Sequence, residues 1–325
     1  MKSTVIQLHA HGGPEVLQAR ELALAPPASG QARVRHTAIG VNFIDTYHRT
    51  GLYPVELPSG LGMEAAGVVE EVGPDVDEVV VGQRVAYAAG PPGAYATHRN
   101  VRAAVLVPLP DGVSDEVAAA ALLKGMTVEF LVRRTFPVEP GMTVLWHAAA
   151  GGVGLIACQW LAHLGVTVIG TVGSDDKAEL ARAHGCTHPI VYTRDAFEAR
   201  VLELTGGQGV PVAYDSVGRA TFDGSLRCLR RRGMLVGFGN ASGKPDPFDI
   251  GRLAQHGSLF LTRPMLFDYV ATREELLASA GALFSVLESG AVKVEVRQRW
   301  PLVEAEAAHR ALEDRRTQGS TVLIP

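Results

Sequence analysis

The 325-residue sequence predicts an α/β protein with a β-rich part and a doubly wound parallel sheet. Three observations predict it. Short strand-like runs separated by Gly and Pro turns fill the N-terminal part. From about Leu122 the texture changes, and strands alternate with helices. At the first of those strand-to-helix turns stands Ala149-x-Gly151-x-x-Gly154, a dinucleotide fingerprint with Ala in its first place.

In chain order, the strand-like runs of the first part are residues 3–8, 31–41, 64–72, 84–88 and 95–100. Gly12-Gly13-Pro14, Pro26-Pro27, Gly73-Pro74-Asp75 and Gly90-Pro91-Pro92-Gly93 separate them. No strand and helix alternate there. A helical pattern covers 124–136 and stops before Pro137. The apolar run from Val144 then leads through the fingerprint into a helix over 155–164. A strand over 166–171 follows at the spacing the fingerprint requires. Ser174 reads as the N-cap of a helix over 175–184. Strand 187–192, helix 195–205, strand 211–215 and helix 222–229 come next. Residues 230–233 lead into strand 234–238, and a short helix precedes strand 258–262. After Pro264 the expected elements are helix 272–289, strand 294–301, helix 302–314 and strand 320–324. This last piece has too little sheet to stand alone and is expected to return to the first part. The predicted domains are therefore 1–123, 124–264 and 265–325, the third returning to the first across a cleft from the second.

Hydrophobic residues make up 47% and charged residues 20%, ordinary values for a soluble globular chain. A net charge of -4 gives nucleic acid and anionic membranes nothing to attract, so neither is an expected partner. No apolar run is long enough for a transmembrane helix, and residues 1–8 do not resemble a signal peptide. A cytoplasmic location is expected. The three cysteines, Cys158, Cys186 and Cys228, have no metal-ligand spacing.

At the fingerprint, small residues let a backbone approach a pyrophosphate, whose charge the helix N–H groups would face. Ala150, Gly151, Gly152, Val153 and Gly154 are the candidate contacts. An NAD enzyme needs a carboxylate at the end of the second strand to hold the ribose 2′-OH. Gly173 and Ser174 stand there instead, and Lys177 follows one turn later. A hydroxyl and an ammonium suit a 2′-phosphate, so NADPH is the expected cofactor. Asp175 and Asp176 lie close by and read as carboxylates that satisfy the helix dipole. Lys177 has a competing reading as a solvated helix residue.

Eight segments carry a resemblance to a known family. They are H-G-G-P-E-V-L (11–17), G-V-N-F-I-D-T-Y (40–47), G-L-Y-P (51–54), P-S-G-L-G-M-E-A-A-G-V-V (58–69), L-K-G-M-T (123–127), A-A-A-G-G-V-G (148–154), Y-D-S-V-G (214–218) and T-R-P (262–264). With these the chain resembles, nearly end to end, the zinc-independent quinone oxidoreductases of the medium-chain dehydrogenase/reductase superfamily, which include the ζ-crystallin branch. The resemblance implies a GroES-like catalytic domain, a Rossmann domain, NADPH, a small-molecule quinone substrate and a homodimer. The strand over 258–262 is the expected pairing edge.

Zinc-dependent relatives place a Cys within the segment matching 40–47 and a His in a G-H-E motif. This chain has Val41-Asn42-Phe43 and Gly62-Met63-Glu64. Both soft ligands are missing, so no metal is expected, and a quinone or conjugated enone suits such a site better than an alcohol. Met63 also departs from the small polar residue often found there in the family. By the resemblance, Asn42 and Tyr47 lie beside the nicotinamide and substrate, with Tyr53 nearby. Tyr47 has two readings: a hydrogen-bond donor to the oxygen that gains charge, or a buried aromatic with a satisfied hydroxyl. Asp45 reads as structural. Lys124 and Thr127 open the linking helix and resemble cofactor contacts, and Tyr192 resembles a third contact to the 2′-phosphate. Ser216, Phe238, Gly239 and Asn240 end strands where parallel sheets bind ligands. Gln318 and Arg263 complete the cofactor set, although Arg263 also reads as an ion-pair residue.

No nucleophile and general-base dyad stands out. Transfer of hydride or of single electrons from NADPH to a quinone is therefore the expected reaction. Reduction of α,β-unsaturated carbonyls is the rival within the scaffold, and a structural or RNA-binding role is the rival outside enzymes.

Overall fold

In the computed structural model, which describes residues 1–325, the strands gather into three sheets. Two compact units result. The first comprises Met1–Met126, Val270–Glu288 and Val294–Pro325. Its N-terminal elements are β1 (Lys2–Leu8), β2 (Gln18–Ala23), β3 (Gln31–Val41), α1 (Phe43–Thr50), β4 (Ser59–Gly60), β5 (Glu64–Val72), β6 (Arg84–Tyr87), β7 (His98–Arg102), β8 (Val107–Pro108) and α2 (Asp115–Phe130). The chain passes into the second unit within α2.

The second unit comprises Thr127–Tyr269 and Ser289–Lys293. It holds β9 (Thr143–Trp146), α3 (Gly152–His163), β10 (Thr167–Val172), α4 (Asp175–Ala183), β11 (His188–Val191), α5 (Phe197–Leu204), β12 (Val210–Asp215), α6 (Phe222–Cys228), β13 (Leu229–Gly237), α7 (Gly251–Gln255), β14 (Phe260–Thr262) and α8 (Leu266–Tyr269). The last elements are α9 (Arg273–Glu288), β15 (Val296–Pro301), α10 (Ala305–Glu313) and β16 (Ser320–Ile324).

In the first unit β3 is central. It pairs antiparallel with β5, β7 and β16, so the chain's last strand sits beside one of its earliest. Ile6, Leu8, Val34, Ile39, Leu61, Val85, Leu106 and Leu323 fill the core beneath. In the second unit six parallel strands run in the order β11-β10-β9-β12-β13-β14. The order reverses between β9 and β12, the place where doubly wound sheets bind ligands. Every residue of β12 is buried, as a parallel strand covered on both faces requires.

Four differences from the sequence expectation have physical causes. The β-rich part contains a helix, α1. The Asp45 carboxylate accepts from the Asn42 N–H at 2.8 Å at its start, and Gly51, with φ 78°, closes it. The helix placed at 124–136 begins at Asp115. Ser114 Oγ accepts from the Val117 N–H, and four successive alanines, Ala118–Ala121, favour the helical state. Lys124 and Thr127 therefore sit inside α2 and do not open it. A π-helical turn, Leu131–Thr135, ends it before Pro137. Residues 230–233 belong to β13 itself, with Arg230, Arg231 and Arg232 exposed along it. The strand β2 gave no signal because all six of its residues are exposed and show no alternation.

Candidate nucleotide cradle and active site

The fingerprint turn leaves β9 at Trp146. Ala148 adopts φ 55°, a left-handed conformation uncommon for a residue with a side chain. Two bonds hold it there: the Gly151 N–H donates to Ala148 O, and the Ala149 N–H donates to Thr171 O on β10, both at 3.0 Å. Helix α3 then begins with no side-chain cap, which leaves its first N–H groups to a ligand or water. A Cβ on Gly154 would stand 2.3 Å from Ala148 O and 2.7 Å from Ala149 Cα. The third glycine is thus demanded by helix-on-strand packing. Ala150 is buried, Gly152 and Val153 are half-buried, and Gly151 is exposed.

Beneath the turn lies a polar network the sequence reading missed. His147 bonds Thr171 Oγ1 at 2.8 Å and Ser225 Oγ at 2.9 Å, and Ser225 donates to Asp215 Oδ2 at 3.0 Å. Burial holds the His147 imidazole below its ordinary pKa. These bonds tie β9, β10, α6 and β12 together under the cradle.

At the far end of β10, Gly173, Ser174, Lys177 and Tyr192 come together. Ser174 Oγ caps α4 by accepting from the Lys177 N–H at 3.4 Å. The Tyr192 hydroxyl lies 3.1 Å from where a Cβ on Gly173 would be, and the Tyr192 N–H donates to Val172 O at 3.1 Å. Asp175 pairs with Arg194 at 3.2 Å, on the surface, and the sequence reading did not single out Arg194.

At the switch point, Phe238 follows β13, and its ring centroid is 5.6 Å from that of Trp146. A Cβ on Gly239 would lie 2.5 Å from Ser216 O, so this crossing also demands a small residue. Asn240 is buried beside it. Arg263 is exposed and donates to Pro264 O at 3.1 Å, and Thr127 is half-buried in α2.

In the first unit Asn42 and Lys124 meet on Glu64, which has no exposed surface. Glu64 Oε1 accepts from Asn42 Nδ2 at 2.7 Å and from Lys124 Nζ at 3.0 Å, while Oε2 accepts from the Leu123 N–H at 2.7 Å. A Cβ on Gly40 would lie 2.1 Å from Ala119 O and 2.3 Å from Glu64 Oε1, so glycine there lets α2 close on β3. Tyr47 and Tyr53 stack edge to face with centroids 5.1 Å apart, and Tyr47 is buried. Met63 is buried and offers a thioether where a hydroxyl would donate. Gln318 is half-buried just before β16.

Asp45 lies behind Asn42. Burial pushes its carboxyl up to about 7, against the lowering effect of the Asn42 N–H and the Tyr95 hydroxyl. Tyr95 Oη is 3.0 Å from both Asp45 Oδ2 and His309 Nε2. His309 Nδ1 is 3.0 Å from Arg49 Nη1. Burial, with the Arg49 charge beside it, lowers the His309 pKa to about 3. Of this group only Asp45 stood out in the sequence. Its spacing from Asn42, Asn-x-x-Asp, is a capping signal that also marks α1. Val41 and Phe43 flank Asn42, and no three His, Cys, Asp or Glu side chains cluster so as to hold a metal ion.

Two family models match: an alcohol dehydrogenase GroES-like domain over residues 28–111 and a zinc-binding dehydrogenase over 152–278. A quinone oxidoreductase of Pseudomonas aeruginosa is 53% identical over 98% of this chain and 99% of its own. The crystal structure of Escherichia coli quinone oxidoreductase complexed with NADPH superposes with a TM-score of 0.98 at 51% identity, covering 99% of this chain and 100% of that one. A 2-haloacrylate reductase from a Burkholderia species is 47% identical over 98% of each chain. Similarity of this extent, over a GroES-like unit and a parallel nucleotide-binding sheet, places the chain in the quinone oxidoreductase branch of the medium-chain dehydrogenase/reductase superfamily.

Proposed function

We propose that this chain is an NADPH:quinone oxidoreductase that works without a metal. One observation carries the cofactor: the end of β10 presents Gly173, Ser174, Lys177 and Tyr192 and lacks the acid that an NAD enzyme places there. The cradle fits a dinucleotide, because α3 begins with no side-chain cap and its first N–H groups are open to a pyrophosphate. When bound, NADPH supplies the reducing equivalents. Ala150, Gly151, Gly152, Val153 and Gly154 take the pyrophosphate, and Gly173, Ser174, Lys177 and Tyr192 take the 2′-phosphate. Thr127, Ser216, Phe238, Gly239, Asn240, Arg263, Lys124 and Gln318 complete the cofactor set. Asn42, Tyr47 and Tyr53 serve the reacting end. Glu64 takes a donor from the Asn42 amide, and the Asn42 side chain accepts from the Asp45 N–H at the start of α1, so both ends of the amide are fixed. The substrate is electron-poor, because no ligand set for a Lewis acid is built here. Two subunits pair through β14, the edge strand, where Phe260 is 53% and Leu261 37% exposed.

The similarity to a 2-haloacrylate reductase supports a second reading, reduction of activated carbon–carbon double bonds. Turnover of NADPH with benzoquinone and phenanthrenequinone, set against methyl vinyl ketone and 2-chloroacrylate, separates the two. Quinone turnover dominates on the first reading. Turnover of the alkenes alone overturns it.

A further inference from the structure

We propose that Asp45, Tyr95 and His309 form a positioning relay through which the C-terminal helix α10 holds Asn42 in register for the reaction. The inference rests on the reading that Asn42 serves the reacting end. Its direction follows from the donors. The Arg49 guanidinium can only donate, so His309 Nδ1 accepts and Nε2 carries the proton. The His309 Nε2–H then donates to Tyr95 Oη, and the Tyr95 O–H donates to Asp45 Oδ2. Asp45 Oδ2 also accepts from the Asn42 N–H at 2.8 Å. Arg49 is anchored in turn by Glu313 at 2.6 Å and Gly12 O at 3.1 Å.

Every member of this chain from Arg49 to Asn42 is at least nine-tenths buried. One atom stands out: Asp45 Oδ1 is buried with no hydrogen-bond partner. Oδ2 already takes two donors, so an added proton goes to Oδ1. There it meets no acceptor, and the neutral acid must turn to find one. Turning releases the Asn42 N–H and loosens the start of α1. The ionised carboxylate is therefore the form that positions Asn42. The groups that set its ionisation are Glu64 on β5, Lys124 on α2 and Tyr95, with His309 on α10 and Arg49 on α1 acting through Tyr95.

The test is the pH profile of kcat/KM, with NADPH and benzoquinone, for the full-length protein and four variants. Tyr95→Phe removes a donor to the carboxylate, so the acid limb moves up by about one pH unit. His309→Leu moves it the same way by less. His309→Gln keeps an acceptor for Arg49 and a donor for Tyr95, so its limb stays with the parent. Asn42→Ala lowers kcat/KM throughout. A Tyr95→Phe profile reduced in height with its acid limb in place overturns the relay, because a merely structural tyrosine gives that result. If Tyr95→Phe fails to fold, a His309→Leu limb that stays with the parent overturns it equally. Unchanged kcat/KM in Asn42→Ala overturns the reading of Asn42, and the relay falls with it. A defective Asn42→Ala beside an unmoved limb overturns the relay alone.

Discussion

Replacing Glu64 by Gln probes a fully buried carboxylate of the first unit. Glu64 has no exposed surface and takes three donors, at 2.7, 2.7 and 3.0 Å. A glutamine side chain has one acceptor oxygen. If that oxygen stays on Asn42 and Lys124, its NH2 group faces the Leu123 N–H, donor against donor. One buried backbone donor left without a partner costs about 1–3 kcal/mol. Lys124, only 5% exposed, also loses its counter-charge. Breaking a buried ion pair from one side costs about 3–5 kcal/mol, which is the expected loss for E64Q. Against a typical domain stability of about 5–15 kcal/mol, a deficit of that size is plain in urea denaturation followed by circular dichroism. The double variant Glu64→Gln, Lys124→Met removes the stranded charge and recovers about half of the loss, which a double-mutant cycle reads as coupling. E64Q within about 0.5 kcal/mol of the parent refutes the reasoning, and so does full additivity in the cycle.

Three further outcomes follow from the cradle and the buried histidines. Lys177→Ala removes one charge-assisted phosphate contact, about 1.5–3 kcal/mol, so NADPH affinity falls roughly 10- to 150-fold while NADH affinity holds. Equal losses in fluorescence titrations with the two cofactors rule out a 2′-phosphate role. Gly154→Ala drives a methyl into Ala148 O at 2.3 Å, so NADPH binding falls more than about tenfold and α3 shifts off β9. Unchanged affinity in that variant contradicts the packing argument. Burial lowers His36 and His309 from 6.5 to about 3, so their stabilising effect is present above pH 6.5 and is lost as the pH falls toward 3. Asp45, raised from 3.8 to about 7, acts oppositely: its contribution is present below pH 3.8 and is lost as the pH rises through 7. Two imidazoles outweigh one carboxyl, so stability falls by about 1.4 kcal/mol per pH unit below 6.5. Urea midpoints that stay level between about pH 6.5 and pH 4.5 contradict this balance.

The parallel unit was the more legible half. Strands β9 and β12 are largely apolar runs, and Gly154 sits where backbone crosses backbone, so periodicity and the fingerprint locate Gly151, Gly154 and the end of β10 directly. The β-rich unit gave less away. Helix α1 is only eight residues long, and its strongest signal is a cap, Asn42 with Asp45. The start of α2 was hidden in an alanine run that carries no amphipathic period, although Ser114 marks it. The polar partners behind Asn42 were out of reach for a different reason. Tyr95 and His309 are 214 residues apart in sequence, and no local pattern joins them.

The position of β16 has a consequence for how the chain is made. All six strands of the parallel sheet lie within residues 143–262, so that sheet has every strand it needs before β16 is made. The first unit has no such freedom. Strand β3 is made long before β16, yet its Ile39–Val41 end pairs with Thr321–Leu323. Until β16 leaves the ribosome, that end of β3 is an open edge of apolar sequence, the kind of surface that invites pairing with another chain. The nascent protein therefore carries a finished parallel sheet while its first unit is still open. Its period of greatest exposure to misassembly ends only when β16 is in place.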